Sequence, residues 1–215
     1  MSTRALVVLD IAAKLALIAL LLHAVANPDL PQYADKAMQG RALAYPLAVL
    51  AIPLAWWVFW RHRPFPVVSD LLLTLPFLID TLGNALDLYD TIAWWDDANH
   101  FGNWMLLSAA FVALGWPKHA SRGTRVALGV GFGAVAAIVW ELLEYVTFIP
   151  DSPEAATAYR DTLGDLGLGL CGSLVGASVA AWYVDRASRK LRLDAPTALP
   201  GGDDLSDHSQ TAGRP

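Results

Sequence analysis

The residues best suited to chemistry are two glutamates inside an apolar stretch. Glu141 and Glu144 lie in the second half of the segment 126–148, which is long enough to cross a bilayer. Because they are three residues apart, they project from one face of a helix. An ionised carboxylate at the centre of a membrane helix costs roughly 2.5–3.5 kcal/mol. The pair therefore requires a proton, a basic partner or a bound cation.

Other ionisable residues are spaced so that they could join these glutamates. Asp96 and His100 are four residues apart, so one turn of helix presents both. Asp165 lies near the start of the last apolar segment. We expect a metal site whose ligands are Asp96, His100, Glu141 and Asp165, with Glu144 as general base to a metal-bound water. Five further residues are expected to support the site or contact substrate: Asp80, Asn84, Asp87, Asp161 and Tyr145.

The types of these side chains restrict the metal. Carboxylate oxygens with imidazole suit a hard or borderline divalent ion such as Mg, Mn, Zn or Fe. The only cysteine is Cys171, which excludes a cysteine-rich site and an intrachain disulfide. Helix bundles do build di-metal sites from inward carboxylates and histidines, but their usual Glu-x-x-His pattern is replaced here by Glu-x-x-Glu. A divalent ion is expected, and its identity stays open.

The composition places these residues in a membrane protein. Of the 215 residues, 55% are hydrophobic and 16% are charged, whereas soluble domains carry about 25% charged residues. The sequence predicts an all-α, six-helix transmembrane bundle over 1–192, with a disordered cytoplasmic tail over 193–215. The predicted helices lie near 5–26, 42–60, 67–88, 98–116, 126–148 and 162–183.

The distribution of lysine and arginine predicts the orientation. With six spans, eleven of the 15 basic residues fall on one side of the membrane. Lys36, Arg41 and Arg160 fall on the other side, and Lys14 lies within the first helix, where it can pair with Asp10. The positive-inside rule then places both termini in the cytoplasm of a bacterial-type inner membrane. In this topology the acidic residues of the proposed site share the outer half of the bilayer.

Small residues predict where two helices pack closely. Gly129 and Gly133 in the fifth helix, and Gly172 and Gly176 in the sixth, have the small-xxx-small spacing that lets helix backbones approach. We therefore expect these two helices to pack against each other.

Three motifs resemble those of a bacterial family of uncharacterised inner-membrane proteins, the YjdF-like group. The resemblance covers about residues 67–184 and rests on Trp95-Asp96-(x)3-His100-Phe101, Glu141-x-x-Glu144-Tyr145, and Asp161-Thr162-x-x-Asp165 followed by Leu168-(x)3-Gly172-Ser173. Tyr145 and Leu163 stand where family members tend to have Trp and Gln. The resemblance implies a multi-pass membrane protein in which these acidic residues and His100 form one site. It implies no activity.

Three functions are compatible with these patterns. The first is a metal-dependent hydrolase or transferase that acts on a lipid or envelope substrate, whose polar end would reach the site while its apolar end stays in the bilayer. The second is a cation- or proton-coupled transporter, in which Asp10, Lys14 and Asp70 would provide the inner half of the path. The third is a structural or assembly protein. The expected partners are the bilayer and a lipid or envelope small molecule, and no nucleic acid is expected.

Overall fold

The computed structural model describes residues 2–34, 36–115, 120–147 and 153–193, and within these ranges it contains helices and no strand. The helices are α1 Thr3–Ala26, α2 Met38–Val49, α3 Ala51–Ala55, α4 Val67–Ala85, α5 Leu88–Thr91, α6 Trp95–Ala113, α7 Arg122–Thr147 and α8 Ala158–Leu193. Two 3₁₀ turns, Pro31–Tyr33 and Pro153–Ala156, and a π turn, Trp56–Trp60, complete the described secondary structure. The all-helical prediction is confirmed.

Five segments are long and apolar enough to cross a membrane, judged by length and composition: Thr3–Ala26, Met38–Trp60, Val67–Ala85, Arg122–Thr147 and Ala158–Arg189. The predicted count of six spans is not confirmed. The remaining predicted span, 98–116, corresponds to α6, whose first nine residues include two aspartates, two asparagines and a histidine. These polar residues lower the apolar character of a helix that is otherwise of spanning length.

The helix boundaries differ from the predicted ones in two informative places. The predicted helix 42–60 begins earlier, at Met38, and is divided at Leu50 and again where the π turn begins at Trp56. Pro46 and Pro53 lie inside this stretch, and proline removes a backbone donor and bends a helix. The predicted segments also included residues 116 and 148, which lie outside the described residues, as does the predicted tail from residue 194 onward.

Helix α6 is the central element of the bundle. It packs against α8, α4 and α7, while α1 packs against α4 and α2. A Cβ on Gly172 or Gly176 of α8 would overlap the backbone of α6, so glycine permits this close approach. Gly129 and Gly133 of α7 face α8 as expected, but Gly172 and Gly176 serve the contact with α6, which the spacing alone did not predict.

A buried ion cluster joins α1 to α4. Lys14 Nζ lies 2.7 Å from Asp10 Oδ1, which confirms the predicted pair, and 2.6 Å from Asp70 Oδ2. Asp70 is 1% exposed. Two carboxylates therefore share one ammonium in the half of the bundle opposite the residues described next.

Candidate metal centre and its cavity

His100 lies at the meeting point of three helices that each supply a carboxylate. It belongs to α6, one turn after Asp96, and its side chain is 8% exposed. His100 Nε2 lies 3.6 Å from Asp96 Oδ1 and 3.7 Å from Asp165 Oδ1 of α8. On the other edge of the ring, Nδ1 lies 3.6 Å from Glu141 Oε1 of α7. Three of the predicted site residues, Asp96, Glu141 and Asp165, thus surround the imidazole of a fourth, His100.

Two atoms at this centre are buried without a hydrogen bond. His100 Nδ1 and Glu141 Oε1 have no hydrogen-bond partner among the residues that the structure describes. Burying such groups is costly unless they bind a proton, a metal or water. The site therefore has unused capacity to hold a ligand.

The donor atoms form two groups that could hold a metal ion. Asp96, His100 and Asp165 form the first, and His100, Glu141 and Glu144 form the second; within each group one donor atom per residue lies within 4.8 Å of the others. Both groups contain the same histidine. The nearest carboxylates to Nε2 are Asp96 and Asp165, whereas Glu141 faces Nδ1. A metal on one nitrogen leaves the other free to bond a carboxylate.

Asp80 belongs to a separate polar cluster. Its Oδ2 accepts hydrogen bonds from Arg41 and, at 2.7 Å, from the Tyr45 hydroxyl, and its Oδ1 accepts from the Tyr89 hydroxyl at 2.8 Å. The Arg41 guanidinium also lies 6.0 Å from the Trp140 ring centroid. Asp80 is thus a neutralised, fully hydrogen-bonded carboxylate, which explains how it is tolerated at 8% exposure.

Sequence reasoning missed Arg41, Tyr45 and Tyr89. Arg41 was assigned to a connection because the predicted helix began one residue later, whereas it lies in the first turn of α2. The spacing of Arg41 and Tyr45, four residues, was the available signal for a shared helix face. Burial raises the pKa of Tyr89, and the charge of Asp80 raises it further, so this hydroxyl stays protonated and donates.

The two clusters line one cavity of about 260 Å³. Its polar end contains Asp80, Asp96, His100 and Glu144, and its other side is apolar. Gly83 in α4 helps to fix this arrangement, because a Cβ there would overlap the rings at the start of α6 and in α5. The geometry therefore combines ionisable groups, a buried imidazole and a space large enough for a small ligand.

The other predicted site residues form no ion pair with His100 in the described part of the chain. Asn84 is buried, and its Nδ2 donates to the Asp80 backbone carbonyl 2.9 Å away. Asp87 adopts a left-handed backbone conformation, φ 58°, between α4 and α5. Asp161 is exposed in the first turn of α8, and Tyr145 of α7 is 53% exposed. Their supporting roles stay predictions.

Comparison with protein families assigns the chain at this point. A family model described as "Predicted membrane protein (DUF2238)" matches residues 9–186. The chain belongs to this family. The DUF2238 match includes every residue of both possible metal groups and of the Asp80 cluster. It supports an uncharacterised membrane family and does not confirm the YjdF-like name. No curated protein and no solved structure matches the chain.

Proposed function

We propose that this DUF2238 protein binds a divalent metal ion in the bacterial cytoplasmic membrane, with Asp96, His100 and Asp165 as ligands. The observation that carries the proposal is the placement of carboxylates from two helices near His100 Nε2, at 3.6 and 3.7 Å. Two ligands held about 2.1 Å from a tetrahedral ion lie about 3.4 Å apart. The observed separations are close to this value and longer than hydrogen bonds.

The sequence pattern predicted Glu141 as a direct metal ligand, and in this proposal it instead orients His100. It faces Nδ1, the nitrogen that a metal on Nε2 leaves free. Ligating histidines ordinarily donate this second N–H to a carboxylate, which fixes the tautomer and the ring orientation. Glu141 therefore acts as a positioning residue, and the unpartnered Nδ1 and Oε1 are the two atoms that this hydrogen bond would satisfy.

Glu144 is the group best placed to exchange a proton with a substrate. It is half-buried and lines the cavity, whereas Glu141 and Asp165 do not. A bound divalent ion would supply Lewis acidity and lower the pKa of a coordinated water. We propose Glu144 as the general base of a hydrolase or transferase that acts on a lipid or envelope substrate. The polar and apolar sides of one cavity support a substrate of mixed character.

The proposed topology places both termini in the cytoplasm. Basic residues are concentrated in the connections that this orientation makes cytoplasmic. In this orientation α4 ends and α6 begins on the outer side of the membrane. The metal site then lies in the outer half, because Asp96 and His100 are in the first two turns of α6.

Cobalt binding tests the metal proposal. Protein purified in a non-ionic detergent, stripped with chelator and dialysed, is titrated with Co²⁺ while visible absorption is recorded. We expect saturation near one equivalent in the wild type and in Asp185→Asn, which removes an acid from the far end of the same helix as Asp165. Asp165→Asn and His100→Ala should lose the absorption. Equal titrations of Asp165→Asn and Asp185→Asn would contradict the assigned ligands.

A second function, cation or proton transport, is favoured by the cluster at the opposite end of α4. Asp10, Lys14 and Asp70 provide buried charges there, and Pro76 interrupts the backbone hydrogen bonding of α4 between Asp70 and Asp80.

Mn²⁺ uptake into proteoliposomes distinguishes the two functions. Transport predicts uptake that Asp70→Asn abolishes as completely as Glu144→Gln. The enzyme proposal predicts no uptake above that of empty liposomes.

A further inference from the structure

We infer that the cavity beside the metal site binds a single-chain amphiphile with a protonated amine head, which enters from the bilayer between α2 and α7. The inference rests on the proposed function only in placing the head beside the metal site. Three observations support it: the size of the cavity, the separation of its lining into polar and apolar parts, and the surplus of hydrogen-bond acceptors at its polar end.

The volume limits how much of the ligand's apolar part the cavity can enclose. A water molecule occupies about 30 Å³ of liquid, so 260 Å³ corresponds to about eight or nine groups of that size. Cavities that enclose drug-sized molecules measure about 300–1,000 Å³. The part of a ligand that is enclosed here is therefore a small head with part of one alkyl chain.

The apolar side of the cavity is built from three helices. Its walls consist of Leu73, Pro76, Phe77, Leu107, Phe132 and Ala136. These residues come from α4, α6 and α7, and in each helix they lie about one to three turns from Asp80, His100 or Glu144. An alkyl chain along this wall would bury apolar surface while its head remained beside His100.

The polar end is rich in acceptors. Asp96 and Glu144 line it, and the buried Asn103 Oδ1 has no hydrogen-bond partner among the described residues. The neighbouring donors are engaged: Asn103 Nδ2 donates to Asn99 Oδ1, 3.3 Å away, and Arg41 is paired with Asp80.

A ligand that complements this end must donate hydrogen bonds and carry positive charge. An alkylammonium supplies three N–H donors and no acceptor. The ring of Trp104 lines the same cavity, and an aromatic ring attracts a nearby cation, whereas Trp140 already contacts Arg41. The four carboxylates of the two metal groups carry more negative charge than a divalent ion neutralises, so this end stays anionic and disfavours a phosphate head.

The inferred route from the bilayer runs between α2 and α7. Helix α2 packs against α1 and α4, whereas α7 packs against α6 and α8. The cavity therefore lies between two helices that have different packing partners. Phe132 of α7 lines the cavity and is 36% exposed, on the face that would meet lipid. The contact between Arg41 and Trp140 covers one end of this gap.

Native mass spectrometry tests the inference and counts metal in the same spectrum. The probes are dodecylamine, dodecanol and dodecyl phosphate, added separately to purified wild-type protein. We expect one dodecylamine per chain, with an affinity at least tenfold above that of dodecyl phosphate. Equal or tighter binding of dodecyl phosphate would overturn the amine assignment, and this comparison needs no variant. Metal mass is read independently, so a metal-free protein that binds dodecylamine refutes the proposed function alone.

Two variant pairs locate the ligand. Ala136→Phe fills the apolar side and should weaken dodecylamine binding at least tenfold, while Val135→Phe on the adjacent, 64% exposed position should change it less than twofold. Glu144→Gln should weaken dodecylamine at least fivefold and leave dodecanol unchanged. Equal affinities for Ala136→Phe and Val135→Phe would place the amphiphile elsewhere and overturn the inference.

Discussion

The ion pair between Arg41 and Asp80 gives the sharpest prediction about stability. Asp80 is 8% exposed and accepts hydrogen bonds from Arg41, Tyr45 and Tyr89. Asp80→Asn keeps an oxygen for the two tyrosines but removes the charge that balances the guanidinium. Breaking one partner of a buried ion pair costs about 3–5 kcal/mol, because the other charge is left uncompensated. We expect Asp80→Asn to lower the free energy of unfolding by that amount.

A double-mutant cycle isolates the pair. Arg41→Gln should cost a similar amount, and the double variant should be less destabilised than the sum by about 2–3 kcal/mol. The assay is titration with SDS in mixed micelles, followed by the far-ultraviolet circular dichroism of the helices. The buried pair would be refuted if the effects of the two substitutions on the free energy of unfolding were additive. It would also be refuted if each single variant lay within about 1 kcal/mol of wild type, as for a surface pair. Metal content should be unchanged in Asp80→Asn, since Asp80 belongs to neither metal group.

Three further predictions concern helix packing and charge. Lys14→Met leaves two buried carboxylates without their ammonium and should destabilise the protein by about 3–5 kcal/mol. As a control, Lys36→Met breaks an ion pair with a half-exposed partner and should cost less than about 1 kcal/mol in the same SDS titration. Gly172→Ala forces a methyl group into the backbone of α6 and should cost about 1–3 kcal/mol, while Gly167→Ala meets open space and should leave the unfolding midpoint unchanged or raise it. The raised pKa of Tyr89 predicts lower stability above about pH 10, because the unfolded tyrosine ionises there and the folded one does not; Tyr89→Phe should flatten this pH dependence of unfolding.

The sequence was sufficient to predict the helical class and the convergence of acids on His100. Helical spacing places Asp96 beside His100, and the cost of buried carboxylates predicts that those in different apolar segments will meet. The same spacing placed Asp161 with Asp165, yet Asp161 is exposed in the first turn of α8. Spacing shows that two residues share a face of a helix, but it does not show whether a neighbouring helix covers both of them.

Other features depend on tertiary contacts that a single sequence does not specify. The charge rule counted Arg41 among the few bases on the outer side of the membrane, and only the position of α2 against α4 shows that it neutralises Asp80. Tyr145 follows Glu144 directly, and one residue rotates a helix by about 100°, so adjacent side chains can face protein and lipid respectively. Which ring nitrogen of His100 faces which acid follows from the packing of three helices around α6.

Metal content of the purified protein tests the central claim most directly. Protein prepared in non-ionic detergent without chelator is measured by plasma mass spectrometry, with helicity checked by circular dichroism. The account predicts near-stoichiometric divalent metal in wild type and Asp185→Asn, its loss in His100→Ala and Asp165→Asn, and affinity lowered about 10–100-fold in Glu141→Gln. A folded wild-type protein that contains no divalent metal and takes none up, or metal retained in full by His100→Ala, would contradict it.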